Sequence, residues 1–396
     1  MYDLKISVIG AGAQGSATVF ILTKISDAQV VSADIDLNVA KKAAEKTKSN
    51  RVTAQRVDAG KVDDLVRVVS GSDVVVNAVV GRFNLPILDA ALKSGAHYVD
   101  LAGDVPCIDF VPKELAYDGK FKDAGLTAIV FTGGPFVTNA AVRYVADRLD
   151  RVDEIRLRQG FVRREREEVP IFSPGWCPEM ALMEWVRPMV YENGTWKDVP
   201  KFSGVEEYPF PEPVGRQTVA HVDFEPVHTL PRFIKGVKYV EMKQGPDRMA
   251  WTMIKQGFAS YKPIDVKGVK VAPIDVLLTL TPPATETREK MMKNMARRKV
   301  EPNGCSLAEV TGEKNGQKIT HTIYRIFNSR ADNEKWGTPG VSVGLPAAIT
   351  AVMLAKKEVK GKGVIPPEGL DPKLYLGRMA EKGWIFNEKI SREVRP

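Results

Sequence analysis

Cysteine is scarce in this 396-residue chain: Cys107, Cys177 and Cys305 are an odd number with no CxxC pair, which excludes a disulfide framework and leaves reduced thiols as the expectation. Histidine is nearly as rare. His97, His221, His228 and His321 share no ligand spacing such as HExxH, so no metal is expected. The longest uncharged run, GVSVGLPAAITAVMLA, falls short of the roughly 20 residues a bilayer needs and contains Gly344 and Pro346. It reads as a buried helix, and no membrane partner is expected. Strand-like sequence begins at about Leu4, leaving no room for the basic and apolar regions of a secretory signal, so a cytoplasmic protein is expected. Charge of one sign is never concentrated. The net charge is +8 and the pI about 9.1, yet acids interleave with bases in RREREE at 163–168, and REKMMKNMARRK at 288–299 reads as a solvated helix face. Nucleic acid is therefore not an expected partner. Anionic small molecules suit the positive field better.

What is present fits a globular protein: 44% of residues are apolar and 27% charged, and the length exceeds what one core usually serves. The first 150 residues alternate short apolar runs with helical periodicity, the mark of a parallel sheet covered by helices. Strands are predicted at 5–9, 29–33, 52–56, 73–79, 98–101 and 126–131, with helices such as LNVAKKAAEK and LPILDAALKSG between them. Beyond about Asp150 the texture changes to alternating runs, with hairpin signals at Asn193-Gly194 and Asn315-Gly316 and an irregular proline-rich piece, YPFPEPVG. The fold expected is α/β: a Rossmann, doubly wound parallel sheet over 1–135, an α+β substrate and dimerisation domain over 136–340, and a C-terminal segment, 341–396, whose helix packs back on the first domain.

The stretch KISVIGAGAQG places three glycines between a predicted strand and a helix. Gly10 allows the tight turn, Gly12 lets backbone amides approach a pyrophosphate, and Gly15 permits close packing of helix on strand. The helix opening at Ala13 and Gln14 offers unpaired amides to phosphate. Asp34, 19 residues after Gly15, stands where an acid bonds the adenosine ribose hydroxyls, which favours NAD while leaving NADP possible. Asp58 either reaches the adenine edge or is an exposed turn aspartate. Asn77, Ala78 and Val79 end the fourth strand, where the chain either passes the nicotinamide or simply closes a buried strand.

The residues resemble the saccharopine dehydrogenase family, which includes saccharopine reductases, lysine 6-dehydrogenases and carboxynorspermidine dehydrogenases. The resemblance rests on GAGAQG, AALKSGAHYVDLAGD at 90–104, AGLTAIVFTGGPFVTNAA at 124–141, FSPGWCPE at 172–179, HTLPRF at 228–233 and VGLPAAITAVMLA, in that order along nearly the whole chain. Through the segment YENGTWKDVPKFSGVEEYPFPEPVG the chain resembles members near lysine 6-dehydrogenase most. The resemblance implies a nicotinamide-dependent enzyme acting at a carbon bearing an amine or imine, with an amine or amino-acid substrate and a homodimeric assembly. One departure stands out: where relatives commonly carry an aspartate before proline and glycine, this chain has Gly134-Pro135-Phe136, which points to a different or less polar amine.

Hydride transfer at an amine carbon needs an acid-base group for the nitrogen's proton and a cofactor for the redox step. Asp100 and Asp104 follow the fifth strand and either face a substrate ammonium or cap a helix. Thr138 and Asn139 read as a helix cap first and as substrate contacts second. Trp176 and Cys177, between two prolines, form a stiff loop able to close over a site; Cys177 reads as a packed thiol rather than a nucleophile. Glu179 is either a base or a helix-start acid. His228 has a suitable pKa for proton transfer, though a structural histidine fits as well. Arg232 is the expected anchor for a substrate carboxylate, with a surface ion pair as the other reading. Two further functions stay open: a homospermidine synthase-like enzyme without net redox change, and a catalytically silent NAD-binding sensor.

Overall fold

The structure, a computed structural model, describes residues 4–104, 111–162, 172, 174–284 and 301–393, with 286, 290, 293, 296 and 297 between the last two blocks. Cys107, RREREE and most of REKMMKNMARRK lie outside the described residues. The first sheet is built from β1 (Lys5–Ile9), β2 (Gln29–Asp34), β3 (Val52–Arg56), β4 (Val74–Asn77), β5 (His97–Asp100) and β6 (Thr127–Ile129). Runs such as KISVI and VVVN are buried on both faces, as helices covering both sides of a parallel sheet require. The second unit holds β7 (Arg151–Phe161), β8 (Met189–Glu192), β9 (Thr195–Asp198), β10 (Glu206–Pro209), β11 (Arg216–His221), β12 (Tyr239–Gln244), β13 (Ile264–Val266), β14 (Val269–Val271), β15 (Asn303–Lys314) and β16 (Gln317–Asn328). Two late strands, β17 (Gly363–Ile365) and β18 (Asn387–Arg392), return one to each sheet.

The first sheet runs β17-β6-β5-β4-β1-β2-β3 with parallel pairing throughout. That is the doubly wound order, its topological switch point lying between β1 and β4. The seventh strand, β17, was not expected from sequence: three residues after KEVKGK are too few to show periodicity. β4 and β6 are shorter than predicted because the chain leaves the sheet at its carboxyl edge after Asn77 and Ile129 to build loops. The uncharged run forms the helix Val341–Ala355, buried along most of its length and sharing a core with Val19 and Leu22 of the first helix, Ala13–Ile25. Among the described residues no single helix is long and apolar enough to cross a membrane.

The second sheet centres on β7, which pairs in parallel with β12 and antiparallel with β15. Both predicted hairpins form. Asn193 and Gly194 have φ of 49° and 88°, and Asn315 and Gly316 have 50° and 75°, the double positive φ that a tight two-residue turn requires. YPFPEPVG is not irregular from its start, since Tyr208 and Pro209 close β10 and pair with Gln217 and Arg216. The inner face buries Ile155, Leu157, Val240, Met242, Ala308 and Val310 beneath helices.

Candidate functional site

The glycines of the opening motif meet the demands of a dinucleotide. Gly10 has φ +92°, and a Cβ there would stand 2.8 Å from Ala78 O, while a Cβ on Gly15 would stand 1.8 Å from Gly10 O. At Gly12 nothing lies within 4 Å of that position, so the turn is closed on the protein side and open on the other. Gly12 precedes the helix Ala13–Ile25 without a side-chain cap, which leaves the first amides for phosphate oxygens. Asp34 ends β2 and accepts from Ala11 N at 2.8 Å and Asp36 N at 3.1 Å, fixing its carboxylate beside the glycine turn. Asp58 accepts from Gly60 N at 3.0 Å and stands 3.6 Å from Lys61, the bonding of a turn aspartate. Asn77 is buried; its Oδ1 accepts from Val79 N at 3.0 Å and its Nδ2 donates to Asn84 Oδ1 at 2.6 Å. It therefore sets the path of Ala78 and Val79 past the glycines.

Beyond β5 lies a group of buried acids, Asp100, Glu114 and Glu225. Asp100 is 1% exposed and accepts from Phe131 N at 2.6 Å, holding that bulky residue at φ 62°. A left-handed phenylalanine is strained, and such strain gathers at working sites. Glu114, also buried, accepts from Asn84 Nδ2 at 2.6 Å. From the second unit, Glu225 opens the helix Glu225–Phe233 and accepts from Gly103 N at 2.5 Å, joining that helix to the loop after β5. Burial, then Glu114, then Glu225 push the Asp100 carboxyl well above the usual carboxylate range. Burial likewise raises Glu114 and pushes Glu225 up to about 7, with Asp223 adding to the latter. Glu184, buried and bonded by Gln244 Nε2 at 2.9 Å, is also raised, chiefly by burial.

The predicted acid-base candidates fall into three places. Asp100 lies in the group of buried acids. Asp104 pairs with Lys113 at 3.1 Å on the loop above it. Glu179, in the helix Pro178–Met183, bonds Arg82 Nη1 and the Tyr261 hydroxyl, each at 2.5 Å, and Cys177 directly precedes that helix with its thiol raised by burial. Trp176 packs half-buried on the second core. His228 is fully buried against Asp223 at 2.6 Å. Arg232 stacks its guanidinium 4.1 Å from the Trp196 ring centroid, seven residues and so about 10 Å along the helix from Glu225. Thr138 and Asn139 do not cap: the helix Val137–Ala146 already includes them, and Asn139 Nδ2 donates to Glu368 at 3.2 Å. Phe136, the departure noted above, packs edge-on against Phe224 at 5.9 Å. Glu114, Glu225, Arg82 and Tyr261 were missed by sequence reasoning. Glu225 had one signal, an acid before Pro226 at a helix start, which also marks any first helical turn.

Among the described residues no group of three or more His, Cys, Asp or Glu is placed to hold a metal ion. The glycine cradle, open at Gly12 and flanked by Asp34, fits a dinucleotide.

Known proteins resemble the chain along most of its length. A family model described as the saccharopine dehydrogenase NADP binding domain matches residues 6–129, and the saccharopine dehydrogenase C-terminal domain matches 151–384. The carboxyaminopropylagmatine dehydrogenase of Synechocystis sp. is 24% identical over 405 residues, covering 98% of each chain. The carboxynorspermidine synthase of Vibrio alginolyticus is 27% identical over 375 residues, 89% of this chain and 86% of that one. The saccharopine dehydrogenase (L-Glu forming) of Saccharomyces cerevisiae superposes with a TM-score of 0.69 at 16% identity, over 98% of this chain and all of that one.

Proposed function

Because the chain belongs to the saccharopine dehydrogenase family, and so is a nicotinamide-dependent oxidoreductase acting at a C–N bond of an amino acid or related amine, we propose that its substrate is a carboxylated polyamine. The observation that carries this reading is the group of buried acids: Asp100, Glu114 and Glu225 bring three buried carboxyls together, with no cation bonded to any of them among the described residues. A desolvated acidic site gains most from a ligand that brings positive charge. Two relatives, the carboxyaminopropylagmatine dehydrogenase and the carboxynorspermidine synthase, bear names of carboxylated polyamines, which suits such a ligand.

The dinucleotide, when bound, supplies or accepts the hydride. The chain's own residues do the rest. The glycine turn and the helix Ala13–Ile25 seat the pyrophosphate, and Asn77 holds the strand end that the nicotinamide half passes. Glu225, pushed up to about 7, attracts the reacting nitrogen's positive charge and can take or return its proton at neutral pH, with the raised Asp100 carboxyl beside it. Asp34 favours NAD, since a 2′-phosphate would meet its carboxylate as like charge.

The test is a screen following reduced nicotinamide with both cofactors, using carboxynorspermidine, carboxyaminopropylagmatine, saccharopine and lysine. The two carboxylated polyamines should be oxidised with the highest kcat/KM. Preference for lysine or saccharopine would overturn the substrate assignment, and cofactor binding with no amine turned over would leave a nicotinamide sensor as the function.

A further inference from the structure

The crevice has a second pole. Arg82 lies in the turn Gly81–Phe83 directly after β4, and a Cβ on Gly81 would stand 2.5 Å from Gly103 O, so the guanidinium rises from the same strand ends that carry Asp100. Across the crevice, Glu179 receives Arg82 Nη1 on Oε2 and the Tyr261 hydroxyl on Oε1, both at 2.5 Å. One carboxylate is thus held by two donors, one on each oxygen, from two different parts of the chain. The exposure is asymmetric: the Arg82 side chain is 55% exposed and that of Glu179 12%. A guanidinium carries five N–H donors, and Nη1 to Glu179 is the one hydrogen bond Arg82 makes among the described residues. Asp104, the nearby acid, is offset by Lys113 at 3.1 Å.

We propose that Arg82 and Tyr261 form the seat for the carboxylate of the substrate, and that Glu179 fills that seat until substrate displaces it. This rests on the reading of a carboxylated amine as substrate and adds which residues recognise its acid group. The substrate then spans two poles, its nitrogen at the buried acids and its carboxylate on Arg82. A fork-shaped donor is the suitable partner for a carboxylate, and an exposed one is reachable without unfolding the crevice. Glu179 is a competitor in this arrangement, so its removal acts oppositely to removal of Arg82. An ion pair that merely clasps the two units would instead lose function whichever partner is removed.

The experiment compares carboxynorspermidine with its decarboxylated counterpart, norspermidine, on the full chain with cofactor bound. Arg82→Ala should raise KM for the carboxylated amine at least about tenfold while changing kcat and the cofactor KM little. Arg82→Lys, which keeps the charge but not the fork, should fall between. Tyr261→Phe should raise the same KM about threefold, and Glu179→Gln should lower it by a similar factor. Norspermidine binding should be indifferent to all four. A rise in KM with Glu179→Gln as large as with Arg82→Ala would overturn the seat in favour of a clasp. So would a selective loss seen with Arg232→Ala and not with Arg82→Ala. If no amine is turned over, the functional reading fails, and titration calorimetry of the same pair still reads the seat. Carboxylate-dependent binding lost in Arg82→Ala supports it, and no such binding in the wild type overturns it.

Discussion

Glu225 and Glu241 are buried glutamates of the same half of the chain, and their surroundings drive them in opposite directions. Glu241, on β12, meets Arg158 Nη2 at 2.7 Å, His221 Nε2 and the Tyr239 hydroxyl at 3.0 Å each, and Lys243 at 3.7 Å. Burial alone would raise its pKa, but His221, Arg158 and Lys243 outweigh that and hold the carboxyl well below the usual range. Glu225 receives a backbone N–H from Gly103 and rises to about 7. Desolvation acts on both; the difference is the supply of cations. On the second sheet the protein completes its own ion cluster. Between the two units Glu225 has no such cation hydrogen-bonded to it among the described residues, the setting that the proposed cationic substrate would complete.

Breaking the completed cluster should have the largest effect. Glu241→Gln leaves Arg158 and Lys243 with less compensation in a buried setting, a change that typically costs about 3–5 kcal/mol, and thermal or urea unfolding should show it. A near-neutral result would mean that Glu206, which also bonds Arg158 at 2.8 Å, carries the cluster by itself.

Glu225→Gln should act with the opposite sign on stability. A carboxyl whose folded pKa is raised contributes stability that is complete below its unfolded pKa, 4.5, and is lost as pH rises through about 7. The wild type without ligand should therefore lose stability between those values, and Gln, which still accepts from Gly103, should recover on the order of 2–3 kcal/mol at pH 8. Unfolding curves at pH 5 and pH 8 decide it; parallel loss in the two proteins would remove Glu225 as the source. Amine turnover should nevertheless fall in the variant.

The smallest effect concerns the cofactor pole. An NAD advantage in kcat/KM of about tenfold, near 1.4 kcal/mol, is expected from the Asp34 carboxylate, and Asp34→Ala should erase it. An unchanged ratio would shift ribose recognition to Asp36, which caps the next helix by accepting from Asn38 N.

The contrast between Glu225 and Glu241 was invisible in the sequence, where each is one acid among many. The first sheet was legible because buried parallel strands leave apolar runs, and because the glycine spacing after β1 marks a turn where Gly10 takes φ +92° and Gly15 packs against Gly10 O. The hairpins were legible for the same reason: an Asn-Gly pair states its own backbone conformation. Glu225 meets Gly103 across 122 residues, and Arg82 meets Glu179 across 97. Nothing within either segment announces its partner. The expected cap at Thr138 and Asn139 failed for a related reason, since the helix starts at Val137 and tertiary packing buries both polar side chains.

If the buried carboxyls of Asp100, Glu114 and Glu225 await a substrate's cationic nitrogen, substrate binding must release protons. Titration calorimetry of carboxynorspermidine into the enzyme loaded with reduced nicotinamide, which cannot accept a further hydride, at pH 7 in buffers of differing ionisation enthalpy counts the protons exchanged on binding alone. A carboxyl with a pKa near 7 is about half protonated there, so an arriving ammonium should expel up to about half a proton in the wild type and clearly less in Glu225→Gln. Binding with no proton exchange, or with proton uptake, would contradict the account.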